Sequence, residues 1–126
     1  MNLEHSTALL KRYPLLFRSL SWPQSSMQRG IECGDGWYEL IDTVCSNLMS
    51  EVDPAQANPV VIVQIKRKFG GLRIYLRGGS ERQHGMVQLA NALSQRLCES
   101  CGAPASLLIV GRTYRTRCAA HSRATA

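Results

Sequence analysis

The amino-acid sequence predicts an α+β fold, in which helices pack on an antiparallel β-hairpin and a second short hairpin lies near the C-terminus. One segment of the N-terminal half repeats apolar residues every three or four positions, which is typical of a helix with one buried face. Farther along, two pairs of strand-like segments are each joined by a short turn that contains glycine, as in β-hairpins. Cysteine and histidine residues in a spacing that metal sites use flank the second pair.

Length and composition predict one domain. A chain of 126 residues has room for one hydrophobic core, so we expect a single domain over residues 1–126, with a helix and hairpin core over 1–97 and a smaller unit over 98–121. No apolar run approaches the roughly 18 residues that a membrane span needs. The N-terminus lacks the pattern of a signal peptide, and five cysteines do not suit a closed disulfide framework. We therefore expect a cytoplasmic protein without a membrane partner.

The N-terminal half predicts two helices. The first ends near Arg12, because Pro14 removes a backbone donor and disfavours helical geometry in the residue before it. Residues 21–31 combine proline, serine and glycine without periodicity and predict a loop. The second helix has Asp35 as its predicted N-cap and ends before Asp53. Its buried face is predicted from the stripe Trp37, Ile41, Val44, Leu48 and Val52.

The C-terminal half predicts two hairpins with a helix between them. The first hairpin pairs residues 60–68 with residues 72–77 around Phe69-Gly70-Gly71. The second pairs residues 106–110 with residues 113–117 and turns at Gly111-Arg112. The intervening helix carries the apolar stripe Met86, Leu89, Ala90, Leu93 and Leu97, which runs up to the first cysteine of the metal-ligand pattern.

The spacing of four potential metal ligands is the strongest chemical signal. Cys98 and Cys101 form a C-x2-C pair, sixteen residues follow, and Cys118 and His121 complete the set as C-x2-H. Two residues between ligands allow a tight turn that aims both side chains at one tetrahedral ion, and the intervening length suits a returning hairpin. The pattern predicts one structural zinc ion in a zinc-ribbon-like subdomain, since four protein ligands leave no position for substrate. The alternative is buried cysteines and a surface histidine without a metal.

Charge is concentrated in the second half of the chain. Residues 1–60 carry a net charge of −3 and residues 61–126 a net charge of +9, which favours an anionic partner. The candidate binding residues are seven cations and a tyrosine: Lys66, Lys68, Arg73, Tyr75, Arg77, Arg112, Arg115 and Arg117. With Arg67 and Tyr114 beside them, they predict a platform for nucleic acid. The alternative is a solvated sheet face whose charges protect the strand edges.

Two further groups allow other metal-dependent hypotheses. An acidic group around the start of the second helix suits either a divalent cation or a helix cap with a solvated face, paired with arginines: Glu32, Asp35, Glu39 and Asp42. Gln64-x-Lys66 downstream of Asp53 partly matches a metal-dependent nuclease pattern, although glutamine replaces the usual acid. No pair of nucleophile and base is visible, so we expect neither catalytic residues nor a small-molecule substrate.

The remaining cysteines and histidines favour structural interpretations. Cys45 lies beside the apolar stripe and is expected to be packed. Cys33 is expected to be a small buried residue, with a fifth thiol near the metal or a reactive surface group as alternatives. His5 and His84 have no partner by spacing and are expected at the surface.

Five segments occur in a specific joint order: Tyr13-Pro14-x-Leu-Phe17, Cys33-Gly-Asp-Gly-Trp-Tyr38, Val63-Gln-Ile-Lys-x-Lys-Phe-Gly-x-Leu-Arg73, Cys98-Glu-x-Cys-Gly102 and Thr116-x-Cys-x-x-His121. Together they resemble a family of small uncharacterised zinc-binding proteins found in bacteriophages and prophages. The chain departs from that pattern at Gly111-Arg-Thr-Tyr, where a glycine and a tryptophan are expected, but keeps the zinc ligands. The resemblance implies a genomic setting in a bacterial host and not a reaction mechanism.

These observations predict a non-catalytic protein with one of two partners. The first is nucleic acid or a nucleoprotein complex, bound through the basic strands. The second is a host protein, such as a CRISPR effector or another defence component, which the protein would inhibit by occupying it.

Overall fold

The computed structural model describes residues 1–18, 31–52 and 59–122. It confirms the α+β fold. Within these residues, the elements are α1 (Leu3–Arg12), a short 3-10 helix (Asp35–Trp37), α2 (Tyr38–Ser50), β1 (Val61–Lys68), β2 (Gly71–Arg77), α3 (Glu81–Ser94), β3 (Ser106–Val110), β4 (Thr113–Arg117) and α4 (Ala119–Ser122). Most of the loop predicted over 21–31 lies outside the described residues. None of the described helices has the length and apolar character needed to cross a membrane.

The hydrophobic core lies between α1, α2 and one face of the β1–β2 hairpin. The predicted stripe of α2 is buried as expected, with Val52 beyond the end of the helix and only half-buried. Each large apolar side chain that is fully buried contributes about 1.5–3 kcal/mol relative to exposure. The fully buried apolar side chains include Leu9, Leu16, Trp37, Ile41, Leu48, Ile62, Ile65 and Leu72.

The start of α2 differs from the prediction. Asp35 does not cap the helix, because it begins the 3-10 helix that precedes α2, and no side chain caps that element. Its carboxylate instead accepts hydrogen bonds from the backbone N–H of Asn2 and from Nδ1 of His5, both at 2.9 Å. The carboxylate therefore satisfies the backbone N–H of the residue before α1 and links α1 to the start of α2.

The β1–β2 hairpin lies where it was predicted. Its strands are antiparallel and meet at a two-residue turn, in which Phe69 has φ 53° and Gly70 has φ 78°. Positive φ at both positions matches the right-handed twist of the flanking strands. The pairs Lys66–Arg73 and Gln64–Tyr75 face each other across the strands, and a bulge lies between Ile62 and Gln64.

α3 lies against the free edge of β2. Ser94 Oγ accepts a hydrogen bond from the backbone N–H of Leu72 at 2.8 Å, and Asn91 Nδ2 donates to the Leu72 carbonyl at 2.9 Å. The predicted stripe of the helix is only partly buried. Ala90 is buried, but Leu89 and Leu93 are 61% and 42% exposed.

Candidate metal centre and basic sheet face

The β3–β4 hairpin brings the two predicted ligand pairs together. Cys98 and Cys101 lie in the turn after α3, where the N–H of Cys98 donates to the Ala103 carbonyl and the N–H of Gly102 donates to the Cys98 carbonyl, both at 2.8 Å. Gly102 has φ 81°, a value that favours glycine. β3 and β4 then return the chain, so that the second ligand pair follows β4 directly.

The four ligand atoms fit one tetrahedral metal ion. They all lie within 4.8 Å of one another. Metal–sulfur bonds of about 2.3 Å and metal–nitrogen bonds of about 2.0 Å give tetrahedral edges of about 3.8 Å between sulfurs and about 3.5 Å between sulfur and nitrogen. The Sγ atoms of Cys101 and Cys118 are 3.7 Å apart, and His121 Nδ1 lies 3.6 Å from Cys98 Sγ and 3.1 Å from Cys118 Sγ. The set can hold a metal ion.

The pKa of Cys98 distinguishes this thiol from the two cysteines packed in the core. Burial raises the pKa of Cys98, but backbone N–H groups of the two knuckle turns outweigh it and lower the pKa to about 6. Burial raises the pKa of Cys33 and that of Cys45 to about 12, so both stay protonated thiols at neutral pH. Both side chains are buried in the core, as predicted for Cys45 and favoured for Cys33.

Glu99 joins the metal-binding turn to the core. Its side chain is 2% exposed, its Oε2 accepts a hydrogen bond from the N–H of Gly34 at 2.9 Å, and both oxygens lie within 3.2 Å of Nη1 of Arg67. Its backbone carbonyl accepts a hydrogen bond from the N–H of Gly36 at 2.7 Å. A buried carboxylate is stable only with such partners. Arg67 therefore lies in this contact and does not extend the basic platform.

Three more hydrogen bonds fix the same region. Trp37 Nε1 donates to the Leu97 carbonyl at 2.8 Å, next to the first metal ligand. The buried Thr116 donates its hydroxyl to the Gly70 carbonyl at 2.7 Å, and its own carbonyl accepts from the N–H of Glu99 at 3.0 Å. The hairpin that carries the second ligand pair is thus bound to the β1–β2 turn.

Sequence reasoning did not find these connecting residues. Glu99 and the glycines of the 33–38 segment contributed to the family resemblance, but nothing in their spacing indicates that they contact one another. The available signal was an acidic residue between two metal-ligating cysteines, which is an unusual place for an unpaired charge.

Five of the eight predicted binding residues lie on one side of the β1–β2 hairpin. Because side chains alternate along a strand, the register places on the side opposite the core a set that we call the outer sheet face: Lys66, Lys68, Arg73, Tyr75 and Arg77. Lys66 Nζ lies 5.7 Å from the centroid of the Tyr75 ring. Within the described part of the chain, none of the four cations has a carboxylate oxygen within 4.0 Å.

The other three predicted binding residues lie on the β3–β4 hairpin. Arg115 and Arg117 point to the side of the hairpin opposite Tyr114, whose ring contacts Phe69 edge-on at 5.8 Å. Arg117 donates a hydrogen bond from Nη1 to Ser100 Oγ in the metal-binding turn. Arg112 is exposed at the turn of the hairpin. The predicted platform therefore divides into two groups.

The acidic group does not converge on a cation site. Asp42 accepts hydrogen bonds from Arg12 Nη1 and from the Tyr13 hydroxyl, both at 2.7 Å, and Asp35 is bound to α1. Over residues 1–18, 31–52 and 59–122, the set of Cys and His ligands described above is the one cluster with metal-site spacing. Asp53, which the nuclease hypothesis needs, lies outside the described residues.

Both remaining histidines have hydrogen-bond partners. His5 is bound to Asp35 and stacks on Tyr38 with ring centroids 4.1 Å apart, a contact between α1 and α2 that sequence spacing does not reveal. His84 is exposed as expected, and its Nε2 lies 2.8 Å from the Gly78 carbonyl.

Chemically, the protein offers a four-ligand site that can hold a metal ion and is hydrogen-bonded to the core, and a basic sheet face with an aromatic ring. Comparisons with protein-family models, with curated proteins and with solved structures give no match.

Proposed function

We propose that this is a non-catalytic protein that binds nucleic acid, or a nucleoprotein complex, through the outer sheet face and uses one zinc ion to hold its fold. The observation that carries the proposal is the set of four cations on that face without acidic partners among the described residues. By contrast, Arg12 and Arg67 each form an ion pair with a carboxylate and are therefore less available to a ligand. Cations left without such partners are available to phosphate.

Zinc is the metal that the donor set favours. Three thiolates and one imidazole at tetrahedral spacing match structural zinc sites, and a closed set of four protein ligands leaves no position for a reacting water. Native mass spectrometry of protein expressed with zinc supplied should show one zinc ion per chain. The Cys118→Ser variant should lose it. Wild-type protein that carries no zinc under these conditions would contradict the assignment.

The nucleic-acid proposal is tested by salt dependence. Lys66→Gln with Arg77→Gln removes two cations from the outer sheet face and should weaken binding of labelled DNA or RNA. If each cation contacts one phosphate, the slope of log affinity against log salt should fall by about 1.4–1.8. Fluorescence anisotropy over a salt series measures both quantities.

The matched control is Lys11→Gln with Arg96→Gln, which removes the same charge from two exposed positions outside that face. It should leave the slope nearly unchanged. Equal slopes for the two double variants would place binding elsewhere, and unchanged mobility of DNA and RNA at low salt would reject nucleic-acid binding altogether.

A second candidate is an inhibitor that binds a host defence protein, in keeping with the phage-like resemblance. The supporting observation is an apolar patch near the turns of the two hairpins, whose members are 37–63% exposed: Phe69, Leu107, Ile109 and Tyr114. Exposed apolar clusters of this kind are typical of protein-binding sites. The protein serves as bait in a pull-down from nuclease-treated lysate of a bacterial host. Wild type and Leu3→Asp should capture one dominant protein, and Ile109→Asp should not. Leu3 is 82% exposed on α1 and serves as the control. Failure of the wild-type protein to capture any specific partner would count against this candidate.

A further inference from the structure

A cleft of about 220 Å³ lies between β2 and α3, beside the outer sheet face. Arg73 and Tyr75 line it from the strand, and Val87, Gln88 and Asn91 line it from the helix. At ~30 Å³ per water molecule, its volume equals that of about seven waters. It is large enough to hold a planar heterocycle and too small for a helix or a strand.

The side chains that line the cleft carry no negative charge. They combine an apolar surface, an aromatic ring, a guanidinium group and two carboxamides. This combination is typical of sites that bind an unpaired base, which is recognised by stacking on aromatic or guanidinium planes and by hydrogen bonds to its edges. Carboxamide side chains match the donor and acceptor pattern of a base edge.

The polar groups of the cleft differ in their availability to a ligand. Arg73 Nε is buried and has no hydrogen-bond partner among residues 1–18, 31–52 and 59–122. Within the same ranges no hydrogen bond is formed by the carboxamide of Gln88, whereas Asn91 is already engaged by the Leu72 carbonyl. The exposed Gln88 carboxamide is therefore the group free to bind a ligand, whereas the buried Arg73 Nε has too little accessible surface to reach one.

We propose that this cleft accepts one unpaired base of a single-stranded nucleic acid whose phosphates lie on the outer sheet face. This inference rests on the proposed nucleic-acid function and adds the class of strand to it. Tyr75 stacks on the base, the Arg73 guanidinium lies beside it, and Gln88 contacts its edge. Duplexes are excluded from the cleft because their bases are paired and stacked.

The experiment uses the full zinc-loaded chain and labelled strands of about 12 nucleotides, as DNA, as RNA and as the matching DNA duplex. Tyr75→Leu should weaken single-strand binding by about 5- to 150-fold and leave duplex binding within about twofold. Tyr75→Phe keeps the ring and should retain the affinity. Gln88→Ala should reduce the preference among homopolymer strands, and the exposed Asn47→Ala on α2 is the matched loss of a carboxamide. Circular dichroism verifies that each variant is folded.

Three results separate the possibilities. Selective loss of single-strand affinity in Tyr75→Leu, together with an altered base preference in Gln88→Ala, supports the cleft. Equal binding of duplex and single strand, with Tyr75→Leu and Gln88→Ala no weaker than Asn47→Ala, overturns the cleft and leaves the proposed function standing. Failure of wild type to bind any of the strands at low salt overturns both.

Discussion

A methyl group added at Gly36 would lie 2.1 Å from the carbonyl oxygen of Cys98, and one added at Gly34 would lie 2.3 Å from that of Glu99. Both obstacles are backbone atoms of the metal-binding turn, so no rotation of a side chain relieves them. The two glycines are therefore required by close approach and not by backbone conformation. At the level of single atoms, this contact explains how the 33–38 segment packs directly against the 98–102 segment.

Gly36→Ala should lower the free energy of unfolding by about 1–3 kcal/mol or more, because the added methyl group forces the turn away from the core. Gly85→Ala is the matched control. A Cβ at that exposed position in α3 meets no atom of the described residues within 4 Å, and alanine should stabilise the helix by about 0.8–1 kcal/mol. Urea titrations measure both changes. Equal effects of the two substitutions would show that the close approach is unimportant.

At the scale of elements, sequence patterns correctly predicted the features that depend on residues close together in the chain. The turns of both hairpins and the ligand spacing are local, and so they lie where expected. Asp35 was wrongly predicted to cap α2, because its carboxylate is hydrogen-bonded to the start of α1, a distant segment of the chain. The stripe of α3 was predicted only in part, since Met86, Ala90 and Leu97 pack on the core and Leu89 and Leu93 are exposed. Glu99 was missed because its partners lie far away in the sequence.

The contact between α3 and β2 gives a prediction at this scale. Ser94→Ala removes the buried acceptor of the Leu72 N–H, and an unsatisfied buried donor costs about 1–3 kcal/mol. Urea titration should show that loss of stability, and the Leu72 amide should exchange with solvent faster. Thr43→Ala removes an exposed hydroxyl that bonds only within α2, and it should change stability little. Unaltered exchange at Leu72 in Ser94→Ala would mean that α3 does not protect this edge.

At the scale of the whole molecule, the candidate metal site and the core share their supporting contacts. Glu99 contacts Arg67 of β1 and Gly34, Trp37 of the core donates to Leu97, and Thr116 of β4 donates to the β1–β2 turn. A ribbon tethered only by its chain would lose its own structure when the ion is removed and leave the rest intact. In this protein, disorder of the 98–102 turn would leave the buried Glu99 carboxylate and the buried Trp37 indole without their hydrogen-bond partners.

Removal of the ion should therefore destabilise the whole chain in one cooperative step. With a strong chelator, the melting temperature should fall by at least about 10 °C, since each kcal/mol lost lowers it by about 3–6 °C for a chain of this size. Hydrogen exchange should speed up in α2 and β1 as well as in β3 and β4. Cys118→Ser should behave like the chelated protein and respond no further to chelator. If protection persisted in α2 and β1 while only the β3–β4 hairpin lost it, the hairpin would be an independent unit, and the contacts of Glu99 would be a consequence of its docking and not a condition of folding.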